Sequence, residues 1–246
     1  IDGSIDAYKM NTTDLLVSRA LPDVLGFGSV FSNLGEMENK GFELSLQTRN
    51  LSNSLFVWTS NINFSLNRNK LVSLYGDLDE NGQELDDPTN KWFIGHAIDE
   101  LWGQKVVGIW QSHQAEEANL YGVYPGDFRI LDKNGDRVFT IDDNEFLGFS
   151  KPRFRWTLVN NFQIRNNLDL SFEIYSYWGQ RRAFNNAKNR DGFIDRTNSL
   201  QTPYWTEENP SNEWARLFSS QGGATYDVYR KASFMRLQDV RLSYTF

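Results

Sequence analysis

The last thirteen residues, Phe234 to Phe246, alternate between apolar and polar up to the final position. Val240, Leu242, Tyr244 and Phe246 fall on one side, and Asp239, Arg241, Ser243 and Thr245 on the other. Successive side chains of a strand point to opposite faces, whereas a helix would mix these two sets, so the pattern predicts a β-strand with one apolar face. The same period of two recurs upstream. Phe42, Leu44, Leu46 and Thr48 oppose Glu43, Ser45, Gln47 and Arg49. Beyond a short polar turn at residues 50–54, Phe56, Trp58, Ser60, Ile62, Phe64 and Leu66 oppose Val57, Thr59, Asn61, Asn63, Ser65 and Asn67. These two runs predict one long hairpin. A second hairpin has the same design. Phe154, Trp156, Leu158, Phe162 and Ile164 oppose Arg155, Thr157, Asn161, Gln163 and Arg165; past Asn166-Asn167, Leu168, Leu170, Phe172, Ile174 and Trp178 oppose Asp169, Ser171, Glu173, Tyr175 and Tyr177. A looser alternation of Ile1, Ile5 and Ala7 against Asp2, Ser4, Asp6 and Tyr8 predicts one more strand.

The expected strands are therefore about 1–10, 41–49, 55–67, 152–164, 168–178 and 233–246, joined by long connections at 11–40, 68–151 and 179–231. Several reach ten residues, the length a tilted strand needs to cross a bilayer, where soluble strands average five or six. Two architectures can use such strands. In a soluble sandwich the apolar face meets a second sheet; in a transmembrane barrel it meets lipid, while the polar face lines a lumen. Short turns alternating with very long connections favour the barrel, whose periplasmic turns are short and whose outer loops are long. That assignment requires 68–151 to hold either no spanning strand or two. Gly95 to Trp110 is apolar but poorly alternating, consistent with a local hairpin or with added barrel wall. Ser112 to Tyr121 reads as a short helix, with Ser112 as N-cap and Glu116 and Glu117 in the early turns.

Composition narrows the field. Across 246 residues there is no cysteine, which excludes a disulfide scaffold and thiolate metal sites. No window approaches the ~20 apolar residues of a membrane helix, so spanning would fall to strands. A net charge of -7 without basic runs argues against nucleic acid as a partner. Aromatic residues make up 15% of the chain, with eight Trp, and must occupy a core, membrane girdles or a binding surface. Trp58, Trp156 and Trp178 fall on the apolar faces, where girdle or core is expected. His96 and His113 have no accompanying nucleophile or carboxylate constellation, so catalysis is not expected.

Five stretches carry a family resemblance: NLGEMENKGFELSL from Asn33, NINFSLNRNK from Asn61, VVGIWQSHQAEEANLYGVYPGDFRILDKNGD from Val106, TPYWTEENPSNEWAR from Thr202 and FMRLQDVRLSYTF from Phe234. In that order they resemble the C-terminal part of the barrel of SusC/RagA-type TonB-dependent outer-membrane transporters. The resemblance implies an all-β fold, the C-terminal segment of a 22-stranded antiparallel transmembrane barrel with long extracellular loops. It implies a plug domain absent from this chain, energy delivered through the TonB complex, and a SusD-like surface lipoprotein as partner. The implied activity is import of an oligosaccharide or peptide across the outer membrane, without an enzymatic step or a required cofactor. The rival is a soluble β-sandwich module that binds a glycan.

Two loop features are candidate sites. In DKNGDRVFTIDD, Asp132, Asn134, Asp136, Thr140 and Asp143, with the Val138 carbonyl, stand at the spacing of a calcium loop, which clusters hard oxygens to replace water around the ion. Arg137 occupies the position where such loops place Gly, and Asp143 is shorter than the usual closing Glu. The alternative is an Asx-rich turn network without metal. Tyr204, Trp205 and Trp214, among Glu207, Glu208 and Asn209, suit contact with a substrate or partner; loop packing is the competing explanation.

Overall fold

A computed structural model describes residues 1–20, 28–165, 167–189 and 202–246. In chain order it contains β1 (Asp2–Ala20), β2 (Ser29–Ser52), β3 (Phe56–Ser73), β4 (Glu100–Gln104), β5 (Val106–Ile109), α1 (Ala115–Leu120), β6 (Phe128–Ile130), β7 (Asn144–Phe149), β8 (Phe154–Ile164), β9 (Leu168–Trp178), β10 (Arg181–Ala183), β11 (Tyr229–Lys231) and β12 (Phe234–Tyr244). These form two units. The sheet unit comprises Ile1–Glu100, Phe149–Gln180 and Ala232–Phe246; the loop unit comprises Leu101–Gly148 and Arg181–Lys231.

Six strands of the sheet unit form one sheet in the order β1-β2-β3-β8-β9-β12, every pair antiparallel. Because β3 pairs directly with β8, residues 68–151 add no strand to this wall. Gly95 to Trp110 instead supplies the short β4 and β5, which pair locally with β7 and β6. The apolar positions read from the period of two come into line as rungs across the sheet, such as Leu46, Ile62, Leu158, Ile174 and Leu237. Aromatic rings pack laterally along this face. Trp58 stacks on Phe162 at 5.7 Å, Phe64 on Phe154 at 5.9 Å, Phe154 on Trp178 at 6.3 Å and Phe162 on Phe172 at 6.0 Å between centroids.

Among the described residues no second layer of the sheet unit covers these rungs. Among the described residues the buried apolar side chains of the sheet unit are Leu71 and Leu74 alone, both at one end of the sheet, while Trp58 stays 36% exposed. A sandwich would bury this face completely. The packed core of the chain lies instead in the loop unit, around Ile109, Phe128, Ile130, Trp205, Tyr226 and Val228.

Three local expectations are corrected. Residues 11–40, expected as a connecting loop, mostly continue β1 and β2, whose pairing runs from Asp2 opposite Gln47 to Ala20 opposite Ser29. Register shifts between Thr12 and Leu15 and between Leu15 and Leu16, with Asp14 at φ 55°, break the alternation while the ladder continues. At about 3.3 Å per residue the 24-residue β2 is ~80 Å long, far more than a bilayer needs. Secondly, the single period expected over Phe234 to Phe246 is interrupted. Asp239, at φ 50°, forms a bulge between Gln238 opposite Glu173 and Arg241 opposite Ser171. Met235 and Leu237 therefore share the apolar face with Leu242 and Tyr244, and Phe234, Arg236 and Gln238 join the polar one. Thirdly, the helical segment begins with a 3-10 turn, Ser112–Gln114, capped by Gln111 rather than Ser112 through a reciprocal bond pair with Gln114; α1 follows.

Candidate functional site

The polar face of the sheet is organised in rungs set by register. One rung carries Asp6, Glu43, Ser65, Arg155, Tyr177 and Phe234 across all six strands; the next carries Ser4, Ser45, Asn63, Thr157, Tyr175 and Arg236. The first four members of each line a groove of about 250 Å³. Past Arg155 the face turns aromatic. Tyr175, Tyr177 and Phe234 stand 5.3 to 5.7 Å apart between ring centroids. Arg236 lies over Phe234 at 5.2 Å and donates from Nη1 to the Tyr175 hydroxyl at 3.0 Å. The sequence pattern assigned Tyr175 and Tyr177 to this face but missed Phe234 and Arg236. The signal was present: the apolar positions move from odd (Met235, Leu237) to even (Val240, Leu242) across Gln238-Asp239.

At the far side of the rungs, Tyr8 lies opposite Gly41 and its hydroxyl accepts from Asn67 Nδ2 at 2.8 Å. A Cβ on Gly41 would sit 2.2 Å from the Tyr8 ring, so only glycine lets the phenol cross the strand.

The apolar face holds a polar network. Asn160 Oδ1 accepts from Ser60 Oγ at 2.7 Å and from Trp58 Nε1 at 2.9 Å, and Asn50 Nδ2 donates to Ser60 Oγ at 2.7 Å. Ser60 and Asn160 are each 6% exposed. Polar groups persist on such a face when they satisfy one another.

In the loop unit, Asp132 Oδ1 accepts from Gly135 N at 2.7 Å, and its Oδ2 accepts from Arg137 N at 3.0 Å and Tyr121 Oη at 3.1 Å. Desolvation pushes the Asp132 carboxyl up, but the Arg137 and Gly135 amides and the Tyr121 hydroxyl outweigh it and hold it below its usual range. Asp136 Oδ1 accepts from Val138 N at 2.7 Å, and Asn134 Nδ2 donates to Asp136 Oδ2 at 2.9 Å. Asp143 is fully buried and accepts from Lys133 N and Thr140 N, both at 2.9 Å, while Thr140 Oγ1 accepts from Asp142 N at 3.2 Å. Among the described residues no three carboxylates or imidazoles gather into a metal-holding group. Arg137, in the glycine position of the motif, adopts φ 65°.

Trp205 is 7% exposed within the core, and its Nε1 donates to Gln111 Oε1 at 2.9 Å. Trp214 packs against that core edge-on to Phe184 at 5.3 Å, with the Arg230 guanidinium 4.7 Å from its ring. Tyr204 is half-buried. A buried carboxylate that the sequence did not flag organises this core. Asp127 accepts from Arg216 Nε at 2.8 Å, Tyr124 N at 2.9 Å and Ser220 N at 3.0 Å. Beside it Gly126, at φ 90°, has no room for a side chain: a Cβ would stand 2.5 Å from Trp205 and 2.7 Å from Arg216.

Together, an antiparallel sheet with an uncovered aromatic face, a polar face and a separately folded loop unit defines a segment of barrel wall. Among the described residues no helix is long and apolar enough to cross a membrane. Residues 1–175 match the family described as TonB dependent receptor-like, beta-barrel, and the chain belongs to that family of outer-membrane barrels. It is 30% identical to TonB-dependent receptor P26 of Formosa agariphila over 98% of its length and 26% identical to TonB-dependent receptor SusC of Bacteroides thetaiotaomicron over its full length. It spans about a quarter of the length of these relatives: 25% of the first and 24% of the second. Its fold is similar to that in the structure of the RagAB peptide transporter, with a TM-score of 0.69 at 21% identity, covering 98% of this chain and 26% of that one. The resemblance to SusC/RagA-type barrels is thereby shown, and the family is one of transporters and receptors.

Proposed function

We propose that the protein to which this wall segment belongs imports oligosaccharides or peptides across the outer membrane, energised through TonB and working with a SusD-like surface lipoprotein. The observation that carries this is the division of one sheet into an unroofed aromatic face suited to hydrocarbon and a polar, grooved face suited to a solute path. Kinship with the SusC relative and likeness to the RagAB fold support the pairing with a lipoprotein. On this reading the loop unit lies outside the cell, where Tyr204 and Trp214 would stand near the lipoprotein or the substrate.

The test is fractionation and growth. A strain lacking the full-length gene is supplied with defined oligosaccharides or peptides as sole nutrient. Expected are recovery of the protein in the outer-membrane fraction and loss of growth on one class only, restored by the wild-type gene. Recovery in the soluble fraction without detergent, or unchanged growth on every polymeric nutrient, would overturn the proposal.

A further inference from the structure

The charges on the polar face are segregated. Asp6 and Glu43 are directly opposed on β1 and β2, an arrangement that is unfavourable for two carboxylates without a cation between them. Two strands beyond Glu43, across Ser65, stands Arg155, and after it come Tyr177 and Phe234 with Arg236 one rung away. Among the described residues no hydrogen bond or ion pair engages the side chain of Asp6, Glu43 or Arg155, and Arg236 has rings and a phenol as partners but no carboxylate. Strands lie about 4.8 Å apart, so Glu43 and Arg155 are separated by roughly 10 Å and Glu43 and Phe234 by roughly 19 Å. The groove runs across the acid-to-arginine part of this line.

We infer that this rung is a subsite for a peptide that carries both charges, lying across the strands in polyproline II form. It places a basic residue at Asp6 and Glu43, an acidic residue about three positions later at Arg155, and an apolar or aromatic side chain on Tyr177 and Phe234. A polyproline II chain advances about 3.1 Å per residue and returns to the same face every third residue, so the third residue after the base meets Arg155 and the sixth reaches the aromatic end. Ser65 and Asn63, between the two charged ends, offer hydrogen bonds to peptide groups. A neutral oligosaccharide would leave both ends unmatched, and an acidic one would meet repulsion at Asp6 and Glu43; charge complementarity thus selects a peptide. The inference rests on the import proposal and narrows its substrate class.

The experiment is calorimetry on the full-length protein in detergent with the end-blocked peptide Lys-Ser-Ser-Glu-Ser-Ser-Phe, its all-Ser counterpart with Phe retained, and a hexuronate oligosaccharide. Expected are binding of the charged peptide alone, weakened by salt, and a loss of about tenfold or more in Glu43→Gln and in Arg155→Gln. The reversal Glu43→Arg with Arg155→Glu should prefer a peptide in which Lys and Glu have exchanged places. Equal binding of the neutral peptide, binding of the hexuronate unaffected by Glu43→Gln, or variants that lower unfolding stability while leaving peptide affinity intact would each overturn it, the last showing that the face packs against the remainder of the protein. Outer-membrane fractionation of the same variants separates the two proposals. A correctly inserted protein that binds no peptide sinks the subsite alone, and a protein absent from that membrane sinks the import reading.

Discussion

Asn160 offers a direct test of what the aromatic face meets. Its Oδ1 takes two donors, the Ser60 hydroxyl and the Trp58 indole, on a face that no second layer of the sheet unit covers among the described residues. In Asn160→Ala both donors lose their acceptor. An unsatisfied buried donor costs about 1–3 kcal/mol, and two would cost about 2–6 if neither could adjust. Ser60 can turn its hydroxyl towards a strand carbonyl, which leaves the Trp58 indole as the donor without an acceptor, so the lower end applies, about 2 kcal/mol. The measurement is urea unfolding of the full-length protein inserted in phosphatidylcholine vesicles, read by Trp fluorescence, for the wild type, Asn160→Ala, Ser60→Ala and the double variant. If the network acts as a unit on a water-free face, the double variant should be less destabilised than the sum of the singles by about 1 kcal/mol. Strict additivity, or a cost near zero for Asn160→Ala, would mean that water already reaches these groups and that the face does not lie against hydrocarbon.

Gly126→Ala must accept φ 90° and displace Trp205 or Arg216, so the loop unit should lose about 2–3 kcal/mol, seen as faster proteolysis within 101–148 and 181–231 while the sheet still inserts. Gly41→Ala should expel the Tyr8 ring and break its bond to Asn67 at a cost of about 1–3 kcal/mol, and Tyr8→Phe combined with it should add little further loss in the same urea assay. Desolvation raises the Glu84 carboxyl, but the amides of Gly76 and Leu74 and the Ser73 hydroxyl outweigh it and hold it below its ordinary value of 4.5. Its folded value being the lower, its contribution is complete above the unfolded value and is lost as pH falls through the folded one; the turn at 74–85 should loosen on acidification, and Glu84→Gln should show that looseness at neutral pH, read by amide exchange. Calorimetry with calcium should give no heat at millimolar ion, because Asp132 and Asp143 already use their oxygens on N–H and O–H donors; saturable heat abolished by Asp132→Asn would show that the loop rearranges to coordinate metal.

How far the residues revealed the fold depended on whether the local period survived. Phe42 to Thr48, Phe56 to Leu66 and Phe154 to Trp178 keep the period of two at most positions, so their faces and pairing could be read directly, and the six-stranded order follows once 68–151 contributes no further strand to the sheet. From Asn11 to Ala20 and from Ser29 to Lys40 the ladder continues through bulges, which shift side chains from one face to the other without ending the pairing; periodicity vanishes there although the strands do not. The slip at Asp239 had the same effect on a smaller scale and hid Phe234 and Arg236 from the polar face. In the loop unit the difficulty was different. Trp205, a candidate contact residue by type, is held inside by long-range partners such as Gln111, and Asp127, indistinguishable in sequence from the surface carboxylates around it, is the buried acceptor that fixes Arg216 and the amides of Tyr124 and Ser220. The stretch YPGD from Tyr124, quoted above only for its resemblance, thus acquires a physical reason: Gly126 yields the space that Trp205 fills, and Asp127 collects the donors of the segments that meet there. A chain can then vary its loops around that knot while its strands retain the alternation that a bilayer demands.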